Sequence, residues 1–275
     1  METQTFTEPW KKIADSWANW SGGAHPSADN IKHYQRFLDE AIQGIKEPKA
    51  LIMGATPELR DMLSRYPQIE VTILDINWEM IMAMTSLLKE EPKNEVWIKA
   101  NWLTAPLQAN YYDVAFGDLI KGNIPYSEQS LLYKSVHHAL KPSGTWIERL
   151  ASRFPDFEPY DPEEIIQKYS AILPTNESVS DLIAYLLFMS HTEEITSVDR
   201  YFDLLKTHSH LPHISEYLEL STQLLPAGKI WDYGKAWEED KDSILTYFDI
   251  KDKAEDDSPY HGYSYIFKCT PKIVN

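Results

Sequence analysis

Cysteine is almost missing: among 275 residues there is one, Cys269. A lone thiol excludes an internal disulfide framework and any cysteine-built zinc site. Glycine is sparse, at ten residues, and nowhere do glycines crowd into the G-x-G-x-x-G turn that receives a pyrophosphate. Long apolar runs are lacking too. The most apolar stretch, SDLIAYLLFMS, falls short of the roughly 18 residues a membrane span requires and reads as a buried helix. The opening METQTFTEPWKKIADSW has no apolar run of signal-peptide type, so a soluble cytoplasmic protein with no membrane partner is the expectation. Basic runs are likewise absent. With 26 Lys and Arg against 42 Asp and Glu, the net charge is −16, which repels a polyanion unless a local patch compensates. Nucleic acid is disfavoured, and a small molecule is the expected partner.

What is present is a change of periodicity. Residues 1–48 carry Trp10, Trp17 and Trp20, a breaker SGGAHPS, and an amphipathic helix, DNIKHYQRFLDEAIQGI, with Asp29 or Ser27 as its cap. From 49 to 154 short apolar strands alternate with helices: KALIM, then PELRDMLSRY; VTILDI, then NWEMIMAMTSLLKEE; EVWIKA; DVAFGDL, then SEQSLLYKSVHHAL; and TWIERLA. That alternation predicts a parallel sheet covered on both faces, an α/β doubly wound core with right-handed crossovers. Residues 155–242 read as a helical lobe. In it DPEEIIQKYSAIL has Asp161 as cap, Pro162 at the first helical position and Glu164 closing a capping box. Residues 243–275 return to two strands, SILTYFDIK and YSYIFKCTP.

A parallel sheet binds ligands beyond the carboxyl ends of its strands. The turn after the first strand is Gly54-Ala55-Thr56-Pro57-Glu58-Leu59. Gly54 lets backbone approach a ligand closely, and the next helix N-terminus favours an anionic group. Pro57 has no N–H to offer a pyrophosphate, so NAD and FAD are poorly supported and a ligand without phosphates fits better. The second strand ends in Asp75, about twenty residues on, where such folds place the acid that accepts ribose hydroxyls.

The pieces LIMGATPEL, VTILDIN, IKANWLTAPL, YYDVAFGDLIKGNIP and HHALKPSGTWIERL, in that order, resemble class I S-adenosylmethionine-dependent methyltransferases, especially a branch whose first motif reads G-x-T-P-E-L. Ser143 stands where the family's later turn has its first glycine. The resemblance implies a seven-stranded Rossmann-like sheet with an antiparallel last strand, S-adenosylmethionine as cofactor, and transfer of its methyl group to an oxygen or nitrogen nucleophile. It also implies that Gly54, Ala55 and Thr56 lie against the methionine part of the cofactor. Asp75 would hold the ribose, Ile76 and Trp78 would flank the adenine, and Asn101 and Trp102 would meet its amino group. Gly117 and Asp118 would face the sulfonium.

Methyl transfer is an in-line displacement that asks mainly for alignment, plus a base where the acceptor must lose a proton. Asp118 and Asn123, in GDLIKGNIP, are candidates to position an acceptor. His25 and Tyr34, on the amino-terminal cap, could reach the cofactor carboxylate or serve as base, and Trp17 and Trp20 could wall an acceptor pocket. Arg149 and Arg153 could bind an acceptor carboxylate or sit in salt bridges. Lys121 reads as solvated. His208, His210 and His213, in HSHLPH, do not share a helical face, and no metal site is expected. A cofactor-binding protein without turnover and a peptide methyltransferase are the alternatives.

Overall fold

The computed structural model describes residues 13, 16–20, 25–92, 94–155, 157–190, 195–232, 237–257 and 260–273. Trp10 lies outside them. Five strands run parallel: β1 (Lys49–Met53), β2 (Glu70–Asp75), β3 (Glu95–Lys99), β4 (Tyr112–Asp118) and β5 (Leu140–Ala151). Two short lobe strands, β6 (Ile195–Ser197) and β7 (Ile230–Asp232), pair only with each other. The main sheet is completed by β8 (Phe248–Glu255) and by β9 (Ser264–Pro271), which is antiparallel to both β5 and β8. The order β3-β2-β1-β4-β5-β9-β8 is the seven-stranded, mostly parallel arrangement expected from the sequence.

Side chains alternate between the two faces of each strand. Ala50, Ile52, Ile73, Val114, Phe116 and Ile147 pack with α1 (Ala28–Ala41), α2 (Pro57–Ser64) and α3 (Trp78–Ser86). Leu51, Met53, Ala115, Trp146 and Leu150 face the other way, into a core with α4 (Gln129–Ala139). Helix α1 begins at Ser27, whose hydroxyl accepts from Asn30 N at 3.0 Å while Asn30 Oδ1 accepts from Ser27 N at 3.2 Å. That reciprocal pair satisfies two otherwise orphaned N–H groups and fixes the start. Asn77 caps α3 through Met80 N.

The lobe consists of α5 (Pro162–Ser170), α6 (Asn176–Ala184) continuing into a π turn (Tyr185–Met189), α7 (Val198–Thr207) and α8 (Ile214–Leu224). The β6–β7 ribbon was not foreseen, because three-residue strands show no periodicity. Asp161 does cap α5, but it accepts from Glu163 N at 2.8 Å, and Glu164 closes no capping box. The largest departure is α9 (Trp237–Tyr247), which takes up residues 243–247, read from sequence as strand. Trp237, Ile244 and Tyr247 recur at helical spacing and all pack into the second core, and that face overrides the local strand preference. The K-P-S-G turn is also drawn into β5: β4 pairs Tyr112 with Leu140 and then Val114 with Thr145. A side chain at Gly144 would come within 2.9 Å of Lys141 O, so the bulge requires glycine there. Among the described residues, no helix is long and apolar enough to cross a membrane.

Candidate functional site

A cavity of about 280 Å³ opens at the carboxyl ends of β1, β2 and β4. Its floor is Met53, Gly54, Asp75 and Ile76, and one side is Asn101 and Trp102 from the segment after β3. The segment after β4 contributes Asp118, Leu119, Ile120 and Asn123. Trp17 and Trp20 close it from the amino-terminal side. Ser180, Ile183 and Phe188, with Trp231 and Tyr260, cover it from the lobe and the β8–β9 connection.

The floor is pinned by one carbonyl. Leu74 O accepts from Gly54 N at 2.8 Å and from Trp102 Nε1 at 2.8 Å. Gly54 adopts φ +101°, a conformation that side chains rarely enter, and this turns the chain from β1 toward α2. Asp75 is buried, with a carboxylate that accepts from Asn77 N at 2.7 Å. Burial pushes this carboxyl up to about 6, against the pull of the Asn77 and Ile76 N–H groups. Its bonds within the chain are to backbone N–H, and it borders the cavity. Leu119 sits in the left-handed region at φ 53°, held by its N–H to Arg149 O at 2.8 Å. For a leucine this costs about 1 kcal/mol, and strain of this kind gathers at functional sites.

Asp118 also borders the cavity but is not a free acid. Arg149 grips both its oxygens, Nε to Oδ1 at 2.6 Å and Nη2 to Oδ2 at 3.2 Å. The same guanidinium reaches Asn30 Oδ1 at 3.1 Å and Asp256 Oδ2 at 3.4 Å. Arg149 is therefore committed to buried ion pairs and does not offer itself to an acceptor carboxylate, and Arg153 is not among the lining residues. Tyr34, expected against the cofactor, lies beneath the site: it is wholly buried, its hydroxyl donating to Gly117 O at 2.7 Å and accepting from Arg149 N at 3.0 Å. It bridges β4 and β5 near their carboxyl ends.

Gly117 does not line the cavity either. A side chain there would meet Glu148 Oε2 at 1.7 Å. The glycine is there to admit the Glu148 carboxyl, which burial raises well above the carboxylate range and which accepts from Ile120 N at 3.3 Å. Lys121 is buried rather than solvated, paired with Asp240 on α9. Trp78 is exposed, its ring edge-on to Trp97 at 5.7 Å, and is absent from the cavity wall. Asn101 lines the wall, with Oδ1 accepting from Leu103 N at 2.9 Å.

His25 Nε2 bonds to Trp20 O at 3.1 Å, while Nδ1 stands 3.4 Å from Glu58 without a hydrogen bond, with Trp17 at 6.1 Å between ring centres. Burial raises the Glu58 carboxyl, and His25 opposes the rise. In this cluster Trp17 Nε1, Trp20 Nε1, His25 Nδ1 and Glu58 Oε2 are buried atoms without a hydrogen-bond partner. Asn123 donates from Nδ2 to Leu119 O at 3.3 Å, while its Oδ1 is buried and unpartnered. Buried polar atoms of this sort cost free energy unless something pairs with them. In HSHLPH, His208 pairs with Glu163 at 3.1 Å and His213 with Glu216 at 2.7 Å. Among the described residues no group of three His, Cys, Asp or Glu is placed to hold a metal.

Sequence reasoning did not find Glu58, Glu148, Phe188, Trp231 or Tyr260. Only Glu58 carried a signal, as the acid in the first turn after Pro57.

No family model matches the sequence, and no curated protein does. Solved structures do resemble it. The CcbJ methyltransferase from Streptomyces caelestis shares 14% identity at a TM-score of 0.56, covering 97% of this chain and 98% of its own. An S-adenosylmethionine-dependent methyltransferase from Methanosarcina mazei shares 13% at 0.51, covering 84% of this chain and 94% of its own. The fold is that of the class I methyltransferases. A protein from Rhodobacter sphaeroides named as a candidate zinc-dependent alcohol dehydrogenase matches at 0.53, with 14% identity, 95% of this chain and 98% of its own. Shared architecture does not fix the chemistry, which has to come from the site.

Proposed function

We propose that the protein is an S-adenosylmethionine-dependent methyltransferase acting on an oxygen or nitrogen of a small molecule. The observation that carries this is the buried Asp75 carboxylate at the cavity edge, bonded within the chain to backbone N–H groups, beside a glycine turn that no pyrophosphate fingerprint accompanies. An acid so placed accepts vicinal hydroxyls of a ribose. The unpartnered indole N–H groups of Trp17 and Trp20, both on the cavity wall, fit the other end of the same ligand, since they donate to a carboxylate. Ile76, Met80 and Trp102 supply apolar walls for an adenine.

When bound, the cofactor supplies an electrophilic methyl group on a sulfonium. The chain's part is alignment: Gly54 brings backbone close, Asp75 fixes the sugar, and the lobe residues above exclude water. Orientation of this kind supplies several kcal/mol of the barrier, on the order of 7 to 11 in favourable models. Asp118, held by Arg149, contributes fixed negative charge rather than a mobile proton.

Calorimetry with S-adenosylmethionine is the test. Micromolar binding by the parent and its loss in Asp75→Ala are expected, together with cofactor consumption in extracts that contain an acceptor. Equal binding by both proteins, or none by the parent, removes the support. Binding without consumption would favour a cofactor-holding protein without turnover.

A further inference from the structure

The part of the cavity beyond the expected cofactor contacts has a definite character. Its walls are Ile183, Phe188, Trp231 and Tyr260. The charged residues that line the cavity are Asp75, Asp118 and Glu128, all acids; no Lys, Arg or His is among the described lining residues. The nearby cations stand outside the lining: Arg149 is paired with Asp118 and Asp256, Lys121 with Asp240, and Lys229 lies over the Trp231 ring, 5.1 Å from its centre. An acceptor carrying a carboxylate or phosphate would lose its hydration there without gaining a counter-charge, which is strongly unfavourable. Aromatic walls and acids instead attract a cation.

The reacting atom can be narrowed as well. An alcohol must give up its proton before or during attack, and each lining acid is otherwise engaged or open to solvent: Asp118 is gripped through both oxygens, Asp75 is assigned to the ribose, and Glu128 is exposed. An amine, once its ammonium has given a proton to solvent, attacks through its lone pair and needs no base during the transfer itself. Asn123 Oδ1, buried and unpartnered, is an acceptor waiting for an N–H.

Resting on the methyltransferase reading, we propose that the methyl acceptor is an apolar amine without carboxylate or phosphate, seated among Phe188, Trp231 and Tyr260, with an N–H donated to Asn123 Oδ1. The amine arrives largely as its ammonium and loses a proton to solvent. The nitrogen lone pair then forms the N–C bond as the C–S bond breaks. The sulfonium leaves as a neutral thioether, and the methylated ammonium releases one proton to water.

Three matched probes test this: 4-phenylbutylamine, 4-phenylbutanol and 4-phenylbutyrate. Each is titrated by tryptophan fluorescence into protein saturated with S-adenosylhomocysteine, and each is incubated with S-adenosylmethionine while the demethylated product is measured by mass spectrometry. The amine is expected to bind at least about tenfold more tightly than the carboxylate and to be the probe that is methylated. Asn123→Ala should lower amine turnover about tenfold or more with cofactor affinity unchanged, and Asn123→Asp, which keeps an acceptor oxygen, should restore most of it. Tighter binding of the carboxylate, faster methylation of the alcohol, or no binding of the amine by cofactor-loaded protein each overturns the proposal alone. Failure to hold the cofactor overturns the preceding reading and takes this one with it.

Discussion

Asp75 links ligand binding to a proton, and the size of the link follows from its burial. In the folded, free protein the carboxyl titrates at about 6, against an ordinary 3.8. The ionised carboxylate accepts from both ribose hydroxyls, while the protonated acid keeps less acceptor capacity, so binding favours loss of the proton. At pH 5 about one molecule in ten carries the carboxylate, against nearly all at pH 7.5, and affinity should fall about tenfold, or roughly 1.4 kcal/mol. Near pH 6 binding should release about half a proton. Calorimetry with S-adenosylhomocysteine, in two buffers of different ionisation enthalpy, measures that release directly. Asp75→Asn should weaken binding, flatten its pH dependence and abolish the released proton. The stability of the free protein moves in the opposite sense. Between pH 3.8 and about 6 the folded state holds a proton that the unfolded chain has lost, so this group's contribution falls as pH rises through that window. Above it the native state carries a penalty of up to about 3 kcal/mol, and Asp75→Asn should melt later than the parent at pH 7.5 while binding worse. If parent and variant share one pH dependence of affinity, the carboxylate does not touch the ligand.

Arg149→Met should leave Asp118 and Asp256 buried without their counter-charge and cost about 3 to 5 kcal/mol, read as a lowered denaturation midpoint. Gly117→Ala drives a methyl group into the Glu148 carboxyl and should cost about 1 to 3 kcal/mol. Adding Glu148→Ala should recover much of that loss in a double-mutant cycle, and strictly additive effects would count against the clash. Gly54→Ala puts a side chain at φ +101° with little steric contact, the nearest atom being Trp102 Cζ2 at 3.9 Å. A cost of about 1 to 2 kcal/mol from backbone conformation alone is expected, seen as a lower melting temperature in the absence of any ligand.

The parallel half of the fold was legible because its signals are local. Ala50 to Met53 is an unbroken apolar run, Pro57 opens the helix, and Asp75 closes the next strand at the right distance. These segments need no distant partner to be read. The charge cluster under the site was not legible, since Arg149 meets Asn30 from one end of the chain and Asp256 from the other, and no spacing announces such a meeting. Tyr34 was expected at the cofactor on the strength of its helix, yet that helix packs its tyrosine inward to tie two strand ends. The lobe presented the opposite difficulty. Its helices could be read one by one, but that Phe188 and Trp231 converge on the cavity depends on a π turn and a three-residue strand, both too short to leave a periodic trace. Residues 243–247 could satisfy either a strand or a helix pattern, and the Trp237–Ile244–Tyr247 face decided it through packing.

Strand β5 leaves the sheet at Ala151, and the neighbour that covers its far edge begins only at Ser264. On the ribosome, a finished edge of that length must wait while the entire lobe is made. Such an unpaired ribbon is a template for association with another chain, and the antiparallel closure that seals it is among the slower kinds of contact to form. The same wait applies to the guanidinium of Arg149, whose partner Asp256 arrives on the returning segment. Losing the returning β8–β9 segment would therefore do more than trim the surface: it would reopen the edge of β5 and leave a buried positive charge half-answered.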